Sequence, residues 1–240
     1  MARKTAALKA LGGGDLGRRG LDDDIANRLS EAILQGELRQ GERLTELDLA
    51  DHWGVSQGTI RAALKTLQHQ GLVEYRPRRG TFVTQITEAD VLEIYTLRDA
   101  LEALAARSAA VQGDAAGREA LKSVLDQMRQ AVHDGNRSQM LELDFEFHRR
   151  VLSMSGHKRL IEMYRQIEAQ TKLFLSMTDR FHHDLDGLLA IHEPLATAIL
   201  EGEADRAFDL ASRHSEKDGM ALVAAMFARD VGVTTSPVPA

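Results

Sequence analysis

The 240-residue chain has no cysteine, which excludes disulfides and thiolate-ligated metal sites. Aromatic residues make up only 5% of it. With Ala and Leu abundant instead, the composition favours helices over sheets. No apolar run is long enough to span a bilayer, and no charged-then-apolar leader opens the chain. The expectation is a soluble, cytoplasmic protein with no membrane partner. What is present is ample core material, at 43% hydrophobic. The length has room for two domains at roughly 100–200 residues each.

The net charge of −6 divides unevenly. Residues 1–84 carry 13 Lys and Arg against 11 Asp and Glu, whereas residues 85–240 carry 17 against 25. The first part is slightly basic and the second strongly acidic. An acidic second part is repelled by a polyanion and so is held away from it.

The stretch from Leu47 to Val83 reads as helix, tight turn, helix, then a short hairpin with a basic tip. Ala50 is small enough to let a second helix cross close by, and Gly54 suits a turn that needs positive φ. Ser56 can cap the next helix. From there Ile60, Ala63, Leu64 and Leu67 recur at three- and four-residue spacing, an inward apolar stripe. The opposite face presents Gln57, Gly58, Thr59, Arg61 and Lys65. Short polar and cationic groups at a helix N-terminus are what a major-groove reader offers to base edges and phosphates. An amphipathic helix at 22–35, with Ile25, Leu29, Ile33 and Leu34 on one side, would pack behind this unit. Residues 1–20 and 229–240 lack apolar periodicity and are expected to be flexible tails.

These residues resemble the winged helix-turn-helix of GntR-family bacterial transcription regulators. The resemblance is carried by Gly41 to Leu44, Leu49-Ala50, Gly54-Val55-Ser56, Arg61-Ala62-Ala63-Leu64, Gly71-Leu72 and Arg78-Arg79-Gly80-Thr81-Phe82-Val83. Two positions depart from the usual pattern: Gln57 where Arg is common, and Ala62 where Glu often follows the Arg. Gln pairs with adenine and Arg with guanine, so a different operator is expected. The resemblance implies a DNA-binding domain over 21–84. Its contact residues would be Ser56, Gln57, Gly58, Thr59, Arg61, Lys65, Arg78, Arg79 and Gly80.

After a short linker, Thr87-Glu88-Ala89-Asp90 looks like a capping box. A long helix follows, with Val91, Ile94, Leu97, Leu101, Leu104 and Ala105 as its expected buried face. Further helical patterns run over roughly 115–133, 137–154, 158–180, 185–201 and 203–228, divided by Gly113, Asp134-Gly135-Asn136, Ser155-Gly156, His182-His183 and Gly202. No alternating β-pattern occurs after the wing. The fold class is therefore mostly α: three helices with a small β-hairpin wing, then an all-α bundle of about six helices over 85–228.

Asp144 and His148 stand four apart and so share a helix face, while His192 and His214 are expected on two later helices. Across a bundle such side chains can converge on one metal ion. On spacing alone they can equally be interior polar residues satisfied by neighbours, or a surface charge in the case of Asp144. Pro194 removes an interior helical hydrogen bond. Either a helix begins just before it, or a kink there aims His192 inward.

The second half resembles the FCD ligand-binding domain of the FadR-type branch, and its helix count resembles the VanR-like subgroup. Phe147 before His148, Ser155-Gly156 after it, and His192 ahead of Ala198-Ile199 fit that pattern. The resemblance implies that Asp144, His148, His192 and His214 are metal ligands. One carboxylate and three imidazoles suit zinc first, with nickel, manganese or iron as alternatives. Two open positions would accept a small organic acid effector. Arg98 either clamps its carboxylate or pairs with a neighbouring acid. A homodimer reading a palindromic double-stranded DNA operator is implied, since one winged helix reads only a half-site. The sign, repressor or activator, stays open. Two other readings remain: a regulator sensing the metal itself, and a metal-dependent enzyme fused to a DNA-binding module.

Overall fold

A computed structural model of the protein describes residues 20–176, 185–214, 220, 223 and 224. Apart from Gly20, the expected tails lie outside the described residues, as does the His182-His183 breaker. The described chain is mostly helical with one small sheet, and it falls into two compact units.

The first unit opens with α1 (Leu21–Leu34), whose Asp22, Asp23 and Asp24 complement the positive end of the helix dipole. Ile25, Leu29 and Ile33 are buried as expected. A two-residue strand, β1 (Arg43–Leu44), precedes α2 (Glu46–Trp53) and α3 (Gln57–His69). Gly54 ends α2 at φ 64° and the Val55 N–H returns to the Ala50 carbonyl at 3.1 Å, which turns the chain sharply into α3. Ser56 caps α3 by accepting from the Thr59 N–H at 3.1 Å. The stripe Ile60, Ala63, Leu64 and Leu67 is buried.

Strands β2 (Val73–Arg76) and β3 (Gly80–Val83) form the wing, and β1 adds antiparallel to β3, giving the order β1-β3-β2. The register pairs Tyr75 with Thr81 and Arg43 with Phe82. The third strand is an addition to the expected hairpin. It is too short to display alternation, and what holds it is the exchange of Gly41 N–H to Val83 O and Val83 N–H to Glu42 O.

The units do not follow chain order. Helix α7 (Lys158–Ser176) belongs with the first unit. Its Gln170 lies over Gly71 so closely that any Cβ there would collide with the amide, and Gln166 Nε2 is 3.3 Å from His69 Nε2.

The second unit holds α4 (Glu88–Gln112), α5 (Ala115–His133), α6 (Arg137–Met154), α8 (Leu185–Glu201) and α9 (Ala204–Ala211). Asp114 caps α5 and Asn136 caps α6, each accepting a backbone N–H from the first turn. Arg118 on α5 donates to the Ala110, Gly113, Ile199 and Leu200 carbonyls. These are orphan acceptors at the ends of α4 and α8, so one guanidinium pins both helices.

The buried face of α4 is rotated from the expected one. Val91, Leu101 and Ala105 are buried, but Leu97 and Leu104 are each 41% exposed. Tyr95, Arg98 and Glu102 point inward instead. Leucine and alanine recur on several sides of the helix, so hydrophobic spacing alone could not orient it; three charged residues, Arg98, Asp99 and Glu102, are buried, and two of them lead to the site below.

Candidate metal centre and nucleic-acid interface

Asp144 and His148 project from one face of α6, His192 comes from α8, and His214 stands in the turn after α9. All four are buried, and one donor atom from each lies within 4.8 Å of the others. The Asp144 Oδ1 atom is 3.0 Å from His192 Nε2 and 3.7 Å from His148 Nε2, and the two Nε2 atoms are 3.4 Å apart. In the tetrahedral arrangement usual for zinc, ligands at about 2.1 Å stand roughly 3.4 Å apart, and opposite ligands of an octahedral ion roughly 4.2 Å apart. The cluster could hold a metal, with its widest pair drawing in by more than about half an ångström around the ion.

The outer nitrogens settle the ring orientations. His192 Nδ1 donates to the Leu188 carbonyl at 2.7 Å, and His148 Nδ1 lies 3.2 Å from Glu102 Oε1. Each Nε2 is thereby left facing the centre, the arrangement that metal-binding histidines share. Helix α8 starts well before Pro194, which lies in its interior. Proline has no N–H to give the Ala190 carbonyl. Phe147, fully buried, sets its ring edge-on to His192 at 4.7 Å and to His148 at 5.5 Å, forming an apolar wall.

Electrostatics are consistent with a cation site. Burial alone would raise the Asp144 carboxyl, but hydrogen bonds and charge from His148 and His192 outweigh it and hold the group well below the usual carboxylate range. His214 is pushed well below the ordinary imidazole value, chiefly by burial and then by the neighbouring His192, His148 and Arg98. A neutral ring is the form that binds metal.

Arg98 is buried, and of the two expected arrangements it adopts the ion pair: its Nε lies 2.6 Å from Glu102 Oε1. Its Nη2 is 3.9 Å from Asp144 Oδ2. The sequence signal for Glu102 is an Arg and a Glu four apart on α4, a spacing that puts both on one helix face.

In the first unit, Ser56, Gln57, Gly58, Arg61 and Lys65 are exposed along the start of α3, and Arg78 and Arg79 are exposed at the wing tip; Thr59 and Gly80 are half-buried. The Ser56 and Thr59 hydroxyls are 2.9 Å apart, so the cap engages both. Arg61 makes a two-pronged pair with Glu46 of α2, Nε to Oε1 at 3.3 Å and Nη2 to Oε2 at 2.7 Å. Arg76 lies over the Phe82 ring and donates to Glu74, so its charge is spent within the wing. Arg78 has φ 63°, in a turn closed by the Arg79 N–H on the Arg76 carbonyl at 3.0 Å.

Comparison with known proteins bears on both units. Residues 21–83 match the family described as bacterial regulatory proteins, gntR family. Residues 93–217, more than half of the chain, match the FCD domain. The chain belongs to the GntR family. A relative from Bacillus subtilis, the HTH-type transcriptional regulator YdhC, is 33% identical over 135 residues, covering 56% of this chain and 60% of its own. A probable D-xylose utilization operon transcriptional repressor of Paenarthrobacter nicotinovorans is 29% identical over 76% of this chain and 80% of its own. Among solved structures, a GntR regulator from Rhodococcus sp. RHA1 superposes with a TM-score of 0.68 at 25% identity, covering 85% of this chain and 98% of that one. Escherichia coli McbR/YncC shares the fold at a TM-score of 0.68 and 20% identity. This GntR protein is thus a DNA-binding transcription regulator with an FCD domain. Among its described residues no helix is long and apolar enough to cross a membrane.

Proposed function

We propose that the regulator carries a divalent metal ion on Asp144, His148, His192 and His214, and that a small organic acid binding at this centre modulates operator binding. The observation that carries the reading is the convergence of four buried donors within 4.8 Å, with His148 and His192 each tied by Nδ1 so that Nε2 faces inward. The donor set suits zinc first, then nickel, manganese or iron. A bound ion would offer open positions to carboxylate and hydroxyl oxygens of the acid. Arg98 is engaged by Glu102, which supports a role in balancing charge beside the centre over that of an uncommitted clamp. The acid would act by binding one conformation more tightly, shifting the population competent for DNA.

On the DNA side, the reading places the start of α3 in the major groove, with Ser56, Gln57, Gly58, Thr59, Arg61 and Lys65 near bases and phosphates. Arg78, Arg79 and Gly80 would meet the backbone from the wing. A homodimer on a palindromic operator is supported by Leu97, Leu104 and Val111 of α4, exposed large apolar residues that recur every seven positions. Repression is the sign carried by the Paenarthrobacter relative's name, and it is adopted here for this chain.

The test is a thermal-shift screen of small carboxylic acids on metal-replete protein, repeated on His148→Ala. A ligand of the folded state raises the melting temperature by mass action. A hit lost in the variant places the acid at the metal. Operator binding that follows chelation and metal return alone, with no acid producing a shift, would replace this reading with one in which the ion is the signal.

A further inference from the structure

Glu102 is a carboxylate in a buried position, on the second helix turn after Tyr95, with no part in the ligand set described above. Its Oε1 atom accepts from Arg98 Nε at 2.6 Å and lies 3.2 Å from His148 Nδ1, so one oxygen sits against both. Glu102, Arg98 and His148 are each no more than 4% exposed. Arg98 and Glu102 stand four apart on α4, Asp144 and His148 four apart on α6, and the two pairs face each other. Arg98 Nη2 completes the circuit toward Asp144 at 3.9 Å.

If Glu102 only neutralised Arg98, its oxygen would have no reason to sit on the outer nitrogen of a candidate ligand. The position on His148 Nδ1 does two further things. It favours the proton on Nδ1, leaving Nε2 to the centre, and it fixes the orientation of the ring. His192 has only a neutral carbonyl in the same place, so the two imidazoles are not equivalent donors. We propose that Glu102 is a positioning residue for the metal centre, orienting His148 and strengthening it as the dominant imidazole ligand. Resting on the metal reading above, the proposal adds a determinant of affinity outside the ligands themselves.

The experiment is titration of metal-free full-length protein with Co²⁺ against a chromophoric chelator, for wild type, Glu102→Gln and Glu102→Ala. Melting of the metal-free forms checks that each is folded. Removing an outer partner of a ligating histidine lowers metal affinity about 10–100-fold. Glu102→Gln keeps an acceptor but removes the charge and is expected near the lower end of that range, with Glu102→Ala near the upper. The cobalt d–d absorption should shift in both, because the ligand field at His148 changes. Wild-type affinity and an unaltered cobalt spectrum in both variants would overturn the proposal and reduce Glu102 to a counter-charge for Arg98. Should neither variant fold, nitrogen NMR of the zinc-loaded wild type decides. A proton on His148 Nδ1 supports the inference, and coordination through Nδ1 overturns it. A wild-type protein that takes up no metal ends the metal reading and this one together, whereas uptake that is indifferent to Glu102 ends this one alone.

Discussion

The Nε2 atoms of His148 and His192 face each other across 3.4 Å, while their Nδ1 atoms are turned away onto Glu102 and the Leu188 carbonyl. Two imidazoles held in this way bring both Nε2 atoms together beside the Asp144 carboxylate, a grouping of donors that could hold a cation.

Metal removal should therefore cost stability. An ion present at a hundred times its dissociation constant contributes about 2.7 kcal/mol. For a chain of this size that corresponds to roughly 5–11 °C in melting temperature. Chelation should lower the transition by that amount and zinc should restore it; His148→Ala and His214→Ala should not respond to either. Differential scanning calorimetry checks this, and identical melting with and without chelator would remove the ion from the site.

The metal-free protein should weaken as pH falls from 7 toward 5. His214 is held neutral in the fold by burial, with a pKa well below its ordinary value. The unfolded chain takes up a proton near pH 6.5, so stability is intact above that pH and declines below it until the folded value is reached. Asp144 acts in a lower window. Its depressed pKa gives stability that is fully present above about pH 4 and lost as pH falls through the folded value. Melting of chelator-treated protein should drop across pH 7 to 5, and His214→Gln should flatten the drop. A flat wild-type profile would contradict the burial of a neutral ring.

Much of this was legible in the sequence, for identifiable reasons. Turn chemistry at Gly54, the Ser56 cap and the stripe from Ile60 to Leu67 are local signals, and local signals survive folding. Asp144 and His148 are legible as an i, i+4 pair on one helix face, but spacing alone leaves the four donors open, and it is the resemblance to the FCD domain that singles out His192 and His214 among nine histidines. The orientation of α4 was not legible, because leucine and alanine occupy all its sides and only contact with the rest of the unit selects one. Glu46 and Glu102 stayed hidden for a related reason: each acts on a residue of another helix, and sequence spacing says nothing of that partner. The membership of α7 in the first unit is likewise a fact of packing between distant segments.

Arg78 occupies the left-handed region at the wing tip, where a side chain costs about 1–2 kcal/mol. Strain kept at an exposed position is consistent with a contact made elsewhere, here with a phosphate. Arg78→Gly relieves it, while glycine's added freedom in the unfolded chain takes back about 0.5–1 kcal/mol. Stability should be unchanged or higher by up to about 1.5 kcal/mol. Operator binding should nevertheless weaken, and the slope of log affinity against log salt should fall by about 0.9 for each lost phosphate contact. A variant that is less stable and binds DNA with the wild-type salt slope would show the arginine to be structural.

Arg61 has two possible employments, and paired substitutions separate them. Its guanidinium is engaged by Glu46 across the helix-turn-helix, yet it is exposed on the face that the DNA reading requires. Arg61→Ala should cost about 1–3 kcal/mol of operator binding if the side chain reaches a base. Glu46→Gln frees the same side chain and removes a negative charge, at less than about 1 kcal/mol of stability since the pair is exposed. DNA affinity should then hold or rise. Equal weakening by both substitutions in a fluorescence-anisotropy titration would make the pair a brace between α2 and α3 and remove Arg61 from the reading set.

Leu97, Leu104 and Val111 are 41%, 41% and 70% exposed at seven-residue intervals on α4. A stripe at that interval on a long helix suits packing against a second helix, and a two-fold partner would supply one. Leu104→Glu places a charge in the middle of the stripe and should convert a dimer to monomers in light scattering coupled to gel filtration. Met163→Glu, on the separate and exposed face of α7, should leave the dimer intact. Operator affinity should fall by about a hundredfold or more in the first variant, because two linked half-sites gain that much over one. A Leu104→Glu protein that stays dimeric would move the interface to another face, and a monomeric wild type would remove the palindrome from the proposal altogether.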